Sequence, residues 1–163
     1  MNSLRNKLKK IKIVVTDVDG VLTDGGLYYN TDGLVMKKFN VKDGIATRRL
    51  RENGFECGII SSDGSEIIEE RNQRLKMDFL VTGIWNKLEK LKEICTEKNI
   101  DLENVAYLGD DINDLEILGS VGFSASPNDA VDSVIEVVDY VCKRKGGDGA
   151  FREFAELIIA TNN

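Results

Sequence analysis

Short apolar runs alternate with longer amphipathic segments along most of the chain. Residues 11–16, Glu56–Ile60, Phe79–Val81, Val105–Leu108 and 122–124 have the length and apolar content of buried strands. Residues 43–53, 65–75, Lys87–Lys98 and 113–118 read as the helices between them. Ser65-Glu66 is a helix start and Asn53-Gly54 a helix stop. Strand and helix in regular alternation predict an α/β fold, a doubly wound, Rossmann-like parallel sheet. One segment breaks the alternation: Leu27-Tyr28-Tyr29, a turn at Asn30-Thr31-Asp32-Gly33, and a second run over 34–39 predict a β-hairpin inserted after the first strand. No repeat or linker interrupts the chain, so residues 1–163 are expected to form a single domain.

Polar signals follow four of the apolar runs: Asp17-Val18-Asp19-Gly20, Ser61, Lys87, and Asp110-Asp111-Ile112-Asn113-Asp114. Ligands of such sheets bind beyond the carboxyl ends of the strands, so these groups are expected to converge. Carboxylates gathered with one hydroxyl and one amine suit a metal-bound phosphate. Taken singly the signals are weaker. Asp17 and Asp19 alone read equally well as the start of a loop, Ser61 as a turn former and Lys87 as a solvated helix residue.

Taken in order, the motifs Asp17-Val18-Asp19-Gly20-Val21, Ser61-Ser62-Asp63-Gly64-Ser65, Lys87, and Gly109 to Asp114 resemble those of the haloacid dehalogenase superfamily of phosphatases. The tract 19–44 and the tail 146–154 further resemble its small capless branch, which includes the 3-deoxy-D-manno-octulosonate 8-phosphate phosphatases. Larger members insert a cap domain between motifs. Here the gaps are 61 − 17 = 44 and 87 − 61 = 26 residues, leaving no room for one.

The resemblance implies a magnesium-dependent sugar phosphatase acting on a phosphorylated ulosonic acid of lipopolysaccharide biosynthesis. Asp17 is then the nucleophile that forms an aspartyl-phosphate, and Asp19 the acid that protonates the leaving alkoxide and later deprotonates water. Gly20 lets the backbone turn and bring amides near the phosphate. Asp17, the backbone carbonyl of Asp19 and Asp110 supply the oxygen-rich shell that Mg²⁺ prefers. Ser61 and Lys87 bind the phosphoryl group. Asp114 holds a metal-bound water or orients Lys87, and Asp111 is either a similar support or a helix cap. Arg48, Arg49 and Arg51 form a basic cluster with no assigned role.

Composition narrows the alternatives. With 42% hydrophobic and 31% charged residues the chain reads as globular, and a net charge of 22 − 28 = −6 argues against nucleic acid or an anionic membrane as partner. The chain has no histidine, which removes histidine-based acid–base and zinc chemistry and leaves carboxylates to do the work. Cys57, Cys95 and Cys142 form no CxxC pair and are expected to be buried free thiols in the cytoplasm. The basic start is interrupted by Asp17 and Asp19 before a signal-peptide core can form, and no run is long enough to span a bilayer.

Octulosonate phosphatases usually carry Gly-Arg after the motif serine, whereas Ser62-Asp63 stands here. Asp63 and Arg74 are 74 − 63 = 11 residues apart, so a helix continuous between them would carry both on one face, free to read the substrate. That arrangement would suit a nine-carbon acid 9-phosphate of the sialic acid or deaminated sialic acid type as well as, or better than, the eight-carbon one; the pattern reads equally well as two solvated helix residues. A rival of another class is a catalytically weak assembly module, related to the C-terminal domain of sialic acid cytidylyltransferases. The family resemblance also implies a homotetramer built by the apolar hairpin, with the tail 146–154 reaching a neighbouring active site.

Overall fold

A computed structural model describes residues 2–162 of the chain. Its centre is a six-stranded, all-parallel sheet of β1 (Ile13–Thr16), β4 (Glu56–Ile60), β5 (Phe79–Val81), β6 (Val105–Leu108), β7 (Phe123–Ser126) and β8 (Tyr140–Val141). Its order is β5-β4-β1-β6-β7-β8. The antiparallel pair β2 (Thr23–Asn30) and β3 (Gly33–Phe39) forms the hairpin and stands apart as its own sheet. This is the expected α/β architecture. Among the described residues the hairpin is the one insertion between β1 and the first long helix, where a cap could have been.

The helices are α1 (Asn2–Leu8), α2 (Val41–Glu52), α3 (Glu66–Leu75), α4 (Lys87–Lys98), α5 (Leu115–Leu118), α6 (Asp132–Ile135) and α7 (Ala150–Asn162). Two apolar layers cover the sheet, one built around Val14, Leu50, Phe123, Phe151 and Phe154, the other around Val15, Ile60, Leu91 and Tyr107. In α7 the buried positions Phe151, Phe154, Ala155, Ile158 and Ile159 recur at helical spacing, and the ring of Phe154 stacks on Phe123 with centroids 5.8 Å apart.

Several boundaries differ from those expected. Helix α2 starts at Val41 rather than 43, because the side chain of Asn40 accepts the Lys42 N–H and caps it there. The expected helix over 113–118 is a tight 3₁₀ turn at Ile112–Asp114 followed by α5. Elements α1, α6 and β8 were not foreseen. The latter two span only four and two residues, too short for periodicity to register.

Asp43, in the first turn of α2, joins it to α7. Its Oδ1 accepts the Arg152 N–H at 3.1 Å, while its buried Oδ2 has no partner. Burial outweighs the Arg152 amide and the nearby Arg71 and Lys42, and pushes this carboxyl from 3.8 up to about 6. A raised carboxyl contributes stability that is fully present below about pH 4 and lost as pH rises through about 6. At ~1.4 kcal/mol for each tenfold change in proton affinity, the gap corresponds to roughly 2–3 kcal/mol. Asp43→Asn should therefore gain stability over the parent near pH 8 and lose that advantage near pH 4. Urea unfolding at both values checks it; a pH-independent difference would contradict the account.

Candidate active site

The chain runs from β1 outward through β4 to β5, then returns to the other side of β1 for β6, β7 and β8. The carboxyl ends of β1 and β6 thus flank the point where the winding reverses, and the crevice there is the natural ligand site. Asp17 directly follows β1, Asp110 lies two residues past β6, Ser61 follows β4, and Lys87 opens α4 beyond β5. Topology therefore brings all four sequence signals to one end of the sheet. A cleft of ≈ 240 Å³ there is lined by Asp17, Asp19, Gly20, Gly25, Asp110, Asp111 and Asn113. A larger cavity of ≈ 770 Å³ lies beside α7 among Lys42, Arg144 and Arg152, but it holds none of the converging carboxylates.

Asp17 is buried and held at both oxygens: Oδ1 accepts the Val18 N–H at 2.7 Å, and Oδ2 pairs with Lys87 Nζ at 2.7 Å. Lys87 also pairs with Asp114 Oδ1 at 2.7 Å, and its side chain is fully buried. A lysine in the first turn of a helix opposes the helix dipole, so its place there is explained by the carboxylates below and not by α4. Burial alone would push its ammonium down, but Asp17 and Asp114 outweigh burial and hold it above the usual lysine value.

Asp114 is the organiser of this end of the sheet. It accepts from Lys87 and from the Tyr107 hydroxyl at 2.7 Å each, and from the Asp110 N–H at 3.0 Å. Gly109 permits the approach, since a Cβ there would lie 2.5 Å from Asp114 Oδ2. Of the two supports considered for Asp114, the structure has the one that orients Lys87. Asp111 is exposed and its side chain accepts the Ile112 N–H, the cap alternative.

Carboxylate oxygens of Asp17, Asp110 and Asp114 all lie within 4.8 Å of one another. The Asp110 side chain has no hydrogen bond or ion pair among the described residues. Burial first, then Asp17, Asp114 and Asp111, push its carboxyl from 3.8 to about 8. Fully ionised, three carboxylates against one ammonium carry 1 − 3 = −2, a charge that a divalent cation would neutralise and that the metal-free site resists by holding the Asp110 proton. Gly20 is part of the same fit: it has φ +75°, and a Cβ on it would sit 1.9 Å from Asp110 Oδ2.

Ser61 Oγ is buried and accepts the Asp63 N–H at 3.3 Å, which leaves its own proton to give to a phosphoryl oxygen. Asn113 ties the two sides of the cleft by donating to Ser62 Oγ at 2.9 Å. The Asp19 carboxylate is turned toward the hairpin, where both oxygens accept from Lys37 Nζ at 2.7 Å. Lys37, Tyr107, Gly109 and Asn113 were not singled out from sequence.

The continuous helix expected between Asp63 and Arg74 is absent, because α3 begins at Glu66 with an extended Ser65 at its N-cap position and Asp63 lies in the loop before it. Asp63 is also not free: it pairs with Lys37 and accepts from Ser65. Arg74 is exposed eight residues along α3 from Glu66, ~12 Å at 1.5 Å per residue, and the structure does not bring it to the cleft. The arginine cluster has structural partners instead: Arg48 pairs with Glu52, Arg49 with Glu156, and Arg51 donates to the Lys76 carbonyl. The tail belongs to this chain's own core. Gly147 N–H donates to the Val21 carbonyl, and a Cβ on Gly146 would lie 1.9 Å from the Gly20 carbonyl oxygen, so residues 146–147 brace the loop that carries Asp17 and Asp19.

Known proteins similar to this chain share its fold and point to one family. The family model for haloacid dehalogenase-like hydrolases matches residues 76–154. The 3-deoxy-D-manno-octulosonate 8-phosphate phosphatase KdsC of Haemophilus influenzae is 35% identical over 96% of this chain and 87% of its own length. That of Escherichia coli K12 is 37% identical over 94% of this chain and 81% of its own length. Among solved structures, a probable YrbI family phosphatase from Pseudomonas syringae superimposes with TM-score 0.97 at 39% identity, covering 100% of this chain and 93% of the other. The Moraxella catarrhalis octulosonate phosphatase, solved with magnesium, phosphate and KDO, superimposes with TM-score 0.96 at 35% identity, covering 100% and 94%.

Proposed function

The chain belongs to the haloacid dehalogenase-like hydrolases, and from that premise we propose that it hydrolyses a phosphorylated ulosonic acid of the 3-deoxy-D-manno-octulosonate 8-phosphate type through an aspartyl-phosphate on Asp17. It is a phosphoric monoester hydrolase, and its cofactor is Mg²⁺. The observation that carries the reading is the trio Asp17, Asp110 and Asp114, packed within 4.8 Å, with Lys87 the one cation paired to it among the described residues.

The reaction divides into two displacements. An oxygen of Asp17 attacks phosphorus, the bond from phosphorus to the sugar oxygen breaks, and protonated Asp19 gives its proton to the departing alkoxide. Asp19, now a carboxylate, takes a proton from water as that water attacks phosphorus and the bond to Asp17 breaks. Inorganic phosphate leaves with both aspartates restored. Ser61 and Lys87 hold the phosphoryl oxygens, Lys87 with its position locked by Asp114. Asp17, Asp110 and the Asp19 carbonyl would hold the Mg²⁺, which supplies charge neutralisation between carboxylates and phosphate.

The test is phosphate release with Mg²⁺ over a panel of sugar phosphates. The ulosonic acid phosphates should exceed hexose phosphates in kcat/KM by at least about 10²-fold. Equal rates across the panel would overturn the substrate class, and no turnover on any member would favour the assembly module. The panel includes a nine-carbon 9-phosphate because Asp63, where relatives usually have arginine, sits partly exposed near Asp19. Arg74 enters that alternative only if the substrate reaches along α3.

We read the hairpin as the assembly surface of a homotetramer, in a cytoplasmic enzyme. Leu27, Tyr28, Tyr29, Val35 and Met36 are all exposed on it, more apolar area than a two-stranded ribbon alone normally presents. Sedimentation should show four copies; a monomer at micromolar concentration would contradict this. The tail packs on its own chain through Gly146 and Gly147, and a reach to a neighbouring active site rests on the family resemblance. Among the described residues no helix is long and apolar enough to cross a membrane.

A further inference from the structure

Strand β3 is mostly exposed, yet its Lys37 is buried, with 1% of its side chain accessible. Lys37 faces inward between outward-facing Met36 and Lys38, as strand alternation requires. Its ammonium donates to both oxygens of Asp19 at 2.7 Å and to Asp63 Oδ2. Asp63 is fixed in turn by the Ser65 N–H at 3.0 Å and the Ser65 hydroxyl at 2.7 Å. Burying an ammonium is costly unless it is paired, and two carboxylates pair this one.

The Asp19 side chain has no other hydrogen-bond partner among the described residues. Asp17, by contrast, is held by Val18 and Lys87. Whatever direction Asp19 takes toward a leaving group is therefore set from the hairpin. We propose that Lys37 is a positioning residue for proton transfer, aiming the Asp19 carboxylate, with Asp63 and Ser65 anchoring Lys37 from the other side of the cleft. The proposal rests on the reading of Asp19 as the proton carrier. It gives the hairpin a part in catalysis besides any part in assembly, and it gives Asp63 a role that requires no contact with substrate.

The alternative is that Lys37 only fastens the hairpin to the body. A double-mutant cycle in kcat separates the two, because a residue acting through Asp19 has nothing to act on once Asp19 is replaced. Lys37→Met should lower kcat by about 10- to 10²-fold, the scale of a misplaced catalytic group, with KM changed by less than about threefold. In the Asp19→Asn background the same substitution should leave kcat unchanged. Multiplicative losses in the double variant, or a Lys37→Met effect confined to KM, would overturn the proposal. Should Lys37→Met fail to fold, Lys37→Gln replaces it in the cycle under the same criteria. Asp19→Asn alone distinguishes the two levels: wild-type kcat in that variant would sink the proton-carrier reading itself, whatever the cycle shows.

Discussion

Asp17→Asn is expected to keep the fold and lose at least about 10⁴-fold in turnover, the scale seen when a covalent nucleophile is removed. The amide matches the carboxylate in shape, and the elements around it are fixed independently. Val14, Val15 and Thr16 of β1 are fully buried, and Lys87 retains Asp114 as partner when Asp17 loses its charge. What disappears is the attacking oxygen. Phosphate release gives the rate, thermal unfolding gives the stability, and mass spectrometry after acid quench looks for the phosphoryl adduct. The adduct should be found on the parent enzyme and be missing from the variant. Turnover near that of the parent would show that phosphorus is attacked by some other group.

Much of this site was legible because a parallel sheet converts sequence order into position. Asp17, Ser61, Lys87 and Asp110 each announce themselves as a polar residue after an apolar run, and the topology does the rest. The residues that escaped notice are those whose role depends on facing. Lys37 and Lys38 are adjacent and chemically alike, and only the way the hairpin lies against the loops that carry Asp19 and Asp63 decides which of the two is buried. Tyr107 lies inside the buried run of β6 and looks like core until its hydroxyl is seen to meet Asp114. Gly109 is needed for what approaches it, not for its own backbone angle.

The failure at Asp63 and Arg74 has a specific cause. Helical spacing was extended through Ser65, although a serine before an acidic first turn is a start signal, and the structure places the cap there. The hairpin was legible as a hairpin, but its reach into the cleft was not, since a turn signal carries no information about what the strands pack against.

Removal of Mg²⁺ is expected to abolish turnover and to lower stability as well. Burial and the neighbouring carboxylates push Asp110 up to about 8, so full ionisation of Asp17, Asp110 and Asp114 against Lys87 is disfavoured without a metal, and Asp110 has no compensating partner among the described residues. The folded, metal-free site therefore meets either this repulsion or the uptake of a proton by Asp110, a cost that the unfolded chain, with its carboxylates dispersed in water, does not have. A divalent ion that binds only the folded form stabilises it by mass action, about 2.7 kcal/mol at a hundred times Kd. Chelation should thus stop phosphate release and lower Tm, and added Mg²⁺ should restore both. Asp110→Asn separates the contributions. It removes one ligand and a carboxyl that resists ionisation, so it should weaken or abolish the Mg²⁺-dependent rise in Tm while the metal-free variant is at least as stable as the metal-free parent. Retention of the full Mg²⁺ shift in Asp110→Asn would place the ion elsewhere, and full activity under chelation would show that the lysines of the site suffice to balance the phosphate without a metal.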